Sequence, residues 1–328
     1  MFAVVLVGGF GTRLRPLTDD VPKPMLPVAN RPMIVRLAER LAAGGVTDIV
    51  LALGFMPDAF RSAFPGDVLE GGSGTVRLHY AVEPEPLDTA GAIAFAARTA
   101  GVTGTFVVAN GDIMTSLPIA DLVAAHRSAG VEATIHLTPV DDPSSFGVVE
   151  VDDSGLVRRF VEKPAPGESD SRTINAGTYV FEEAVLDRIP AGRRVSVERE
   201  TFPALVADGA LAAVATDHDW IDTGRPELYL AANLAHLDGE AIAESARVAP
   251  TAVVTSSVVG ADAVIGDDAT VTESVVLAGA EIGAGARLER SLVWGRVPGG
   301  SVLVDCVVGR GAAVPGGEHH GRRFPEPA

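Results

Sequence analysis

Gly8, Gly9, Gly11, Thr12 and Arg13 follow an apolar run near residue 1, and their types suit contact with phosphate. Glycines between a buried strand and the next segment let successive backbone N–H groups close on phosphate oxygens. The pattern is not a dinucleotide fingerprint, because Leu14 stands where the third glycine belongs. No Gly-Lys-Ser/Thr follows to make a P-loop. Four cations, Arg13, Arg15, Lys23 and Arg31, outnumber Asp19 and Asp20 in this stretch of an acidic chain. Proline restricts the backbone on both sides of itself, so Lys23, between Pro22 and Pro24, is aimed rather than free to wander. The plainer alternative is a solvated basic surface.

Two isolated acids come next: Asp112 in Asn110-Gly111-Asp112, and Asp222 in Trp220-Ile221-Asp222-Thr223-Gly224. Magnesium is held by one or two carboxylates plus phosphate oxygens and water, so two aspartates at strand ends suit an ion that bridges phosphates. Each alone reads equally well as a turn or helix cap. A third group joins Glu162-Lys163 to Gly147, in Phe146-Gly147-Val148, and to Asn175, in Asn175-Ala176-Gly177. Adjacent residues of a strand point to opposite faces unless it twists or bulges. The pair is therefore either a surface ion pair or a carboxylate for sugar hydroxyls beside an ammonium for a phosphate.

Elements able to position these groups are visible as apolar runs. Residues 2–7 (FAVVLV), 48–53 (DIVLAL) and 105–110 (TFVVAN) read as strands buried on both faces. Another strand covers 77–82, and helical patterns cover 33–43 and about 90–98. The alternation predicts an α/β fold with a doubly wound, Rossmann-like sheet, whose ligands bind at the carboxyl ends of its strands. From about 241 to 314 the helical period disappears. Val259, Ile265, Val271 and Leu277 recur every six residues, and Ile282, Leu288 and Trp294 resume the spacing one residue out of step. This predicts a parallel β-helix of some four coils at about eighteen residues each, with an antiparallel sandwich as the alternative. The expected divisions are a catalytic domain over 1–235, a hexapeptide-repeat domain over 241–317 and a flexible tail over 318–328.

The composition narrows the partners. The 328 residues carry a formal net charge of −17, with 47% hydrophobic and 21% charged, which is globular and argues against engaging nucleic acid or an anionic membrane through bulk charge. Cys306 is the single cysteine, so neither an intrachain disulfide nor a Cys-rich metal site is available. No apolar stretch reaches the ~18 residues of a membrane span. The first residues lack a basic stretch before the apolar run, and the expected compartment is the cytoplasm.

Taken in order, GGFGTRLRPLT, PKPMLPV, NGD, FGVV, VEKP, NAGTYVF and WIDTG resemble the sugar-1-phosphate nucleotidyltransferases over residues 1 to about 235. The six-residue repeats match the left-handed β-helix that many members of that family append. LVGG (6–9), EPEPLDTAG (83–91) and SVERETFPALVADG (196–209) are most similar to its mannose-1-phosphate guanylyltransferase branch. The resemblance implies transfer of a nucleotidyl group from GTP to mannose-1-phosphate with Mg2+. Leu6, Gly8, Gly9, Gly11, Thr12, Thr89 and Gly111 are then expected at the nucleotide. Arg13 and Lys23 neutralise its phosphates, Asp112 and Asp222 ligate the metal, Lys163 holds the sugar phosphate, and Gly147, Glu162 and Asn175 meet sugar hydroxyls. One position departs: Asp88 stands where the family's LGTAG run has glycine.

For the base, guanine offers N1–H and N2–H₂ as adjacent donors, which a carboxylate accepts together; uracil and thymine offer one N–H between two carbonyls. Glu83, or failing it Glu85, supplies that carboxylate if it points inward. The rival readings are a thymidylyl- or uridylyltransferase for glucose-1-phosphate, or for a related sugar or cyclitol phosphate, and a silent paralogue that binds nucleotide sugar. An acyltransferase in the β-helix is disfavoured by the lack of histidine over 241–317. The open end of a β-helix exposes unpaired backbone, so a homo-oligomer formed through it is expected.

Overall fold

The computed structural model describes residues 1–72, 74–237 and 241–326. It divides into two compact units, Met1–Gly9 with Ile34–Trp220, and Phe10–Met33 with Ile221–Ala328. This differs from the expected cut at 235. The phosphate-type segment, Phe10–Met33, is separated from the sheet it follows in sequence and clusters with the C-terminal repeats. Among the described residues no helix is long and apolar enough to cross a membrane.

The first unit is an α/β sheet. Its strands are β1 (Phe2–Leu6), β2 (Asp48–Leu53), β3 (Val68–Gly71), β4 (Gly74–Val82), β5 (Phe106–Asn110), β6 (Ala133–Pro139), β7 (Gly147–Val151), β8 (Val157–Glu162), β9 (Thr173–Phe181) and β10 (Leu211–Ala215). The main path runs β8-β7-β9-β5-β1-β2-β4-β3, with β6 pairing both β9 and β10. In the parallel centre, β5-β1-β2-β4, the first three strands are the continuous apolar runs. Asp48–Leu53 is buried at every position, as a strand covered on both faces must be. Helix α1 spans Met33–Ala43, and α2 spans Asp88–Thr99. Antiparallel β9 joins β5 and carries a register shift between Asn175 and Tyr179. That irregularity bends the strand where Asn175-Ala176-Gly177 lies.

The second unit carries a left-handed parallel β-helix of three sheets with six, four and five strands. Successive sides begin at Val253, Val258 and Val264 and return at Thr270, so the sides are five, six and six residues. The first coils are therefore seventeen residues, not eighteen, the later ones fifteen or sixteen, and the slip seen in the apolar spacing is the short side. Its corner is closed by one residue in the left-handed region, at Ser256, Glu273, Arg290 and Asp305. The next residue is Ser257, Ser274, Ser291 or Cys306, all buried. Ser257 Oγ accepts the N–H of Ser274 at 3.0 Å, Ser274 Oγ that of Ser291, and Ser291 Oγ that of Cys306, each at 3.0 Å. The hydroxyls also donate to carbonyls two residues back. A tight corner strips the strand ladder of a backbone partner, and this column of small polar side chains replaces it.

The expected flexible tail is corrected. Glu318–His320 pairs in parallel with Val302–Val304, and Arg323–Phe324 with Val307–Val308, so the β-helix continues past Gly317. Residues 327–328 lie outside the described residues.

Candidate active site

In the second unit, Gly11 has φ +59, a left-handed backbone that favours glycine. A Cβ there would stand 3.0 Å from Thr18 Cγ2 and 3.3 Å from Lys23 Cβ. Thr18 Oγ1 donates to Gly11 O at 2.8 Å, and Thr12–Leu14 forms a single 3₁₀ turn. Pro22 and Pro24 set a second such turn, Lys23–Met25, and leave Lys23 only 6% exposed. Its Nζ lies 3.5 Å from Asp222 Oδ1, which also accepts the Gly224 N–H at 2.9 Å. A Cβ on Gly224 would be 2.7 Å from Arg13 Nη2 and 2.9 Å from Asp222 Oδ1. Glycine at 224 is what lets the guanidinium in. Arg13, Lys23 and Asp222 thus come together from residues about 200 positions apart. Arg15 does not join them. It pairs with Asp19 at 3.3 Å on the surface, the plain solvated ion pair.

In the first unit the carboxyl ends of β1, β2, β4 and β5 gather the remaining nucleotide-side candidates. Leu6 is level with Asn110, and its carbonyl accepts the Gly111 N–H at 2.9 Å, which fixes the turn leading to Asp112. A Cβ on Gly8 would lie 3.3 Å from Gly54 N and 3.7 Å from Glu83 Oε1. At Gly9, by contrast, no heavy atom of the described residues beyond Gly9 and its chain neighbours lies within 4 Å of where a Cβ would stand. Glu83 is half-buried, with Oε2 accepting the Leu87 N–H at 2.9 Å. Burial pushes its carboxyl above the usual carboxylate range, and the Leu87 N–H partly offsets this. Glu85 is exposed, so Glu83 is the acid turned inward.

Asp88 has φ +61, and its Oδ1 accepts the Thr89 N–H at 2.8 Å. A glycine-favouring conformation is thus kept by an aspartate, which tolerates it through a local hydrogen bond. Thr89 Oγ1 donates to Glu198 Oε2 and accepts the Val197 N–H, each at 2.8 Å. Its hydroxyl ties α2 to the turn Val197–Thr201.

The sugar-side candidates cluster on β7, β8 and β9. Gly147 is level with Glu162 across the β7–β8 pair, and a Cβ there would meet Phe160 Cζ at 2.5 Å and Glu162 Oε2 at 3.0 Å. The Glu162 carboxyl is pushed up by burial first and by the charge of Glu198 second, with Lys163 and Arg199 opposing. Lys163 leaves β8 with φ +53, which brings its Nζ back to 3.8 Å from Glu162 Oε1 although neighbours on a strand diverge. Asn175 Nδ2 donates to Tyr179 Oη and its Oδ1 accepts the Gly177 N–H, both at 2.9 Å. Both ends of this amide brace its own bulge. Gly177 has φ +73 and leaves room for Asn110 Nδ2, 2.6 Å from where a Cβ would stand.

Sequence reasoning passed over Glu198. Ser196 Oγ and Thr89 Oγ1 both donate to its Oε2 at 2.8 Å, and its charge reaches Glu162 and Tyr179. The one available signal was its place in SVERETFPALVADG, which carries several acids and marks none. Among the described residues no three His, Cys, Asp or Glu side chains group to hold a metal ion.

The family model for "nucleotidyl transferase" matches residues 2–239. A mannose-1-phosphate guanyltransferase of Gibberella zeae is 43% identical over 240 residues, covering 72% of this chain and 64% of the relative. A mannose-1-phosphate guanylyltransferase of Mycobacterium tuberculosis is 44% identical over 227 residues, covering 69% of this chain and 61% of the relative. The chain thus spans under two thirds of the length of these relatives. The crystal structure of HddC from Yersinia pseudotuberculosis complexed with GMP-PN superposes with a TM-score of 0.60 at 30% identity, over 72% of this chain and 99% of that one. With its strand-end glycines and its Arg13, Lys23 and Asp222 grouped as described, the chain belongs to the nucleotidyl transferase family.

Proposed function

We propose that this chain transfers a guanylyl group from GTP to mannose-1-phosphate, releasing pyrophosphate. The observation that carries the reading is the buried Lys23 held against Asp222, with Arg13 admitted beside them by Gly224. Such a group is suited to phosphate chemistry in a chain that is otherwise strongly acidic. The names of the curated relatives support the substrate pair, and the guanine nucleotide analogue in HddC supports the base.

A sugar-phosphate oxygen attacks the α-phosphorus in line and pyrophosphate leaves. The nucleophile is already ionised at neutral pH, so the protein's work is positioning and neutralisation rather than proton transfer. Arg13 and Lys23 offset the charge of two polyanions that repel each other. The N–H groups of Gly8, Gly9, Gly11 and Thr12 take phosphate oxygens, with the space beside Gly9 left for the ligand. Leu6 and Gly111 line the strand ends, and Glu83 accepts the paired donors of guanine. Thr89 and Asn175 support the site through Glu198 and Tyr179. Gly147, Glu162 and Lys163 receive the sugar and its phosphate.

Asp112 and Asp222 would be the carboxylates for Mg2+, each offering the hard oxygen donors that this ion takes together with phosphates and water. The chemistry such an ion would supply is neutralisation of developing phosphate charge. The expected setting is the cytoplasm, as a homo-oligomer through the β-helix. The test is pyrophosphate release from purified protein on a grid of four triphosphates and several sugar-1-phosphates. GTP with mannose-1-phosphate is expected to be fastest, and faster use of dTTP or UTP overturns the base assignment.

A further inference from the structure

Segment Phe10–Met33, which carries Arg13 and Lys23, has little regular structure of its own. It contains two 3₁₀ turns and a hairpin of two-residue strands, Pro27–Val28 and Arg31–Pro32. Short pieces of this kind are held by what surrounds them. At the hairpin tip Asn30 takes φ +62, and its Nδ2 donates to Ala241 O at 3.0 Å and Val259 O at 3.1 Å. Both carbonyls belong to the first two strands of one β-helix sheet. Helix Pro226–Ala235 adds to this end: Asn233 Oδ1 accepts the Ala29 N–H at 2.9 Å, and Tyr229 Oη donates to Pro27 O.

The other end of the segment is held by the last strand of that same sheet. Arg323 Nη1 donates to Arg13 O at 3.1 Å and to Arg15 O at 2.8 Å. Next to it Gly309 is packed so closely on Pro16 that a Cβ would stand 2.8 Å from Pro16 Cβ and 2.9 Å from its Cγ. Gly309 follows Val308, the partner of Phe324, so loop and coil meet across one rung. The neighbouring Arg322 takes no part, pairing with Glu326 and stacking over Phe324. At about 4.8 Å per rung, the strands between the two attachments hold them roughly 20 Å apart.

We infer that Arg323 is a positioning residue for nucleotidyl transfer. By gripping the carbonyls of Arg13 and Arg15 it fixes where the Arg13 guanidinium is aimed, and the β-helix is a splint for the phosphate-handling segment, anchored by Asn30 at one end and Arg323 at the other. The inference rests on the function proposed above. Charged donors to carbonyls are the stronger class of hydrogen bond, and small displacements of a phosphate-neutralising group are costly to rate.

The test compares Arg323→Ala, Arg323→Lys and Arg322→Ala in the full chain, by amide hydrogen exchange and steady-state kinetics. In the parent, the amides of Leu14, Arg15 and Leu17 bond within the turn. Arg323→Ala should speed exchange over residues 12–17 while leaving 287–304 at the parental rate, the control for an intact β-helix. It should lower kcat roughly 10- to 100-fold while the sugar-phosphate KM stays near parental. Arg323→Lys should restore part of both effects, and Arg322→Ala should match the parent. The inference is overturned if Arg323→Ala matches the parent over 12–17 and in kcat, if lysine restores nothing, or if Arg322→Ala has the same effect. Should the parent release no pyrophosphate with any substrate pair, the functional reading fails, and the exchange arm still decides whether Arg323 grips the loop.

Discussion

The α/β unit and the β-helix treat polar groups in opposite ways. In the first, Glu83 and Glu162 are half-buried at strand ends with their carboxyls pushed above the usual range, and burial is the leading cause for both. Among the described residues, four of the five buried side-chain polar atoms lacking a hydrogen-bond partner are also there, on Arg40, Tyr80, His136 and Thr178. In the β-helix the Ser257–Cys306 column pairs the backbone N–H of each successive coil, and Ser301 Oγ alone lacks a partner. A site that must receive a ligand's donors keeps acceptors in reserve, whereas a scaffold closes its hydrogen bonds within itself. The half-buried carboxyls of Glu83 and Glu162 therefore set the strand ends of the first unit apart from the column that braces the second.

The largest test of that division is Asp112→Ala. Asp112 lies on the short turn between β5 and the strand Ile113–Thr115, where the Gly111 N–H donates to Leu6 O at 2.9 Å. Pyrophosphate release should fall by roughly 100- to 1000-fold or more at saturating magnesium, with the protein still folded. Near-parental turnover removes Asp112 from the chemistry and weakens the contrast between the two regions.

Ser274→Ala probes the other side. It leaves the buried N–H of Ser291 without its acceptor, which should cost about 1–3 kcal/mol of stability in denaturant unfolding. The rates at saturating substrate should hold at temperatures where the variant is folded. An unchanged unfolding midpoint would mean that water or a relaxed corner does the work assigned to the column.

These two regions were unequally legible. Strands β1, β2 and β5 are continuous apolar runs, so their burial follows from composition, and glycines, prolines and cations mark the phosphate segment directly. The short side of the coil was hidden because serine reads as loop, and only the stacking of one coil on the next shows that the hydroxyl stands in for a strand partner. Glu318–His320 and Arg323–Phe324 are polar apart from Phe324, so nothing in their hydropathy signals strands held by backbone pairing. The role of the Thr89 hydroxyl was hidden for a different reason: its partner, Glu198, lies 109 residues on. The grouping of Phe10–Met33 with the repeats likewise depends on side chains, Asn30, Asn233 and Arg323, that are distant in sequence.

A smaller and more discriminating effect is expected at Glu162. Its folded carboxyl titrates above the unfolded value, so its ionisation opposes folding. The stability it allows is fully present below the unfolded pKa and falls as pH rises through the raised one. Glu162→Gln should therefore raise the thermal midpoint at pH 8 by about 2 °C, with the gain shrinking as the pH drops below the ordinary carboxylate range. At pH 8 the sugar-phosphate KM should rise. A midpoint difference independent of pH would show that Glu162 is not the strained acid the contrast requires.

The smallest effect is expected where the column changes chemistry without changing role. Cys306 occupies the fourth position of a series otherwise made of Ser257, Ser274 and Ser291, and its Sγ lies 3.3 Å from Val304 O, where the serines donate to the equivalent carbonyls. A thiol is a weak donor and a hydroxyl a good one, while the space required is slightly less. Cys306→Ser thus exchanges a small loss of packing for a better hydrogen bond, and the unfolding free energy should stay within about 0.5 kcal/mol of the parent. Cys306→Val keeps the packing but removes the polar atom facing Val304 O, so it should be the less stable of the two. If valine proves better than serine, Cys306 belongs to the apolar core around it, and the hydrogen-bonded column ends at Ser291.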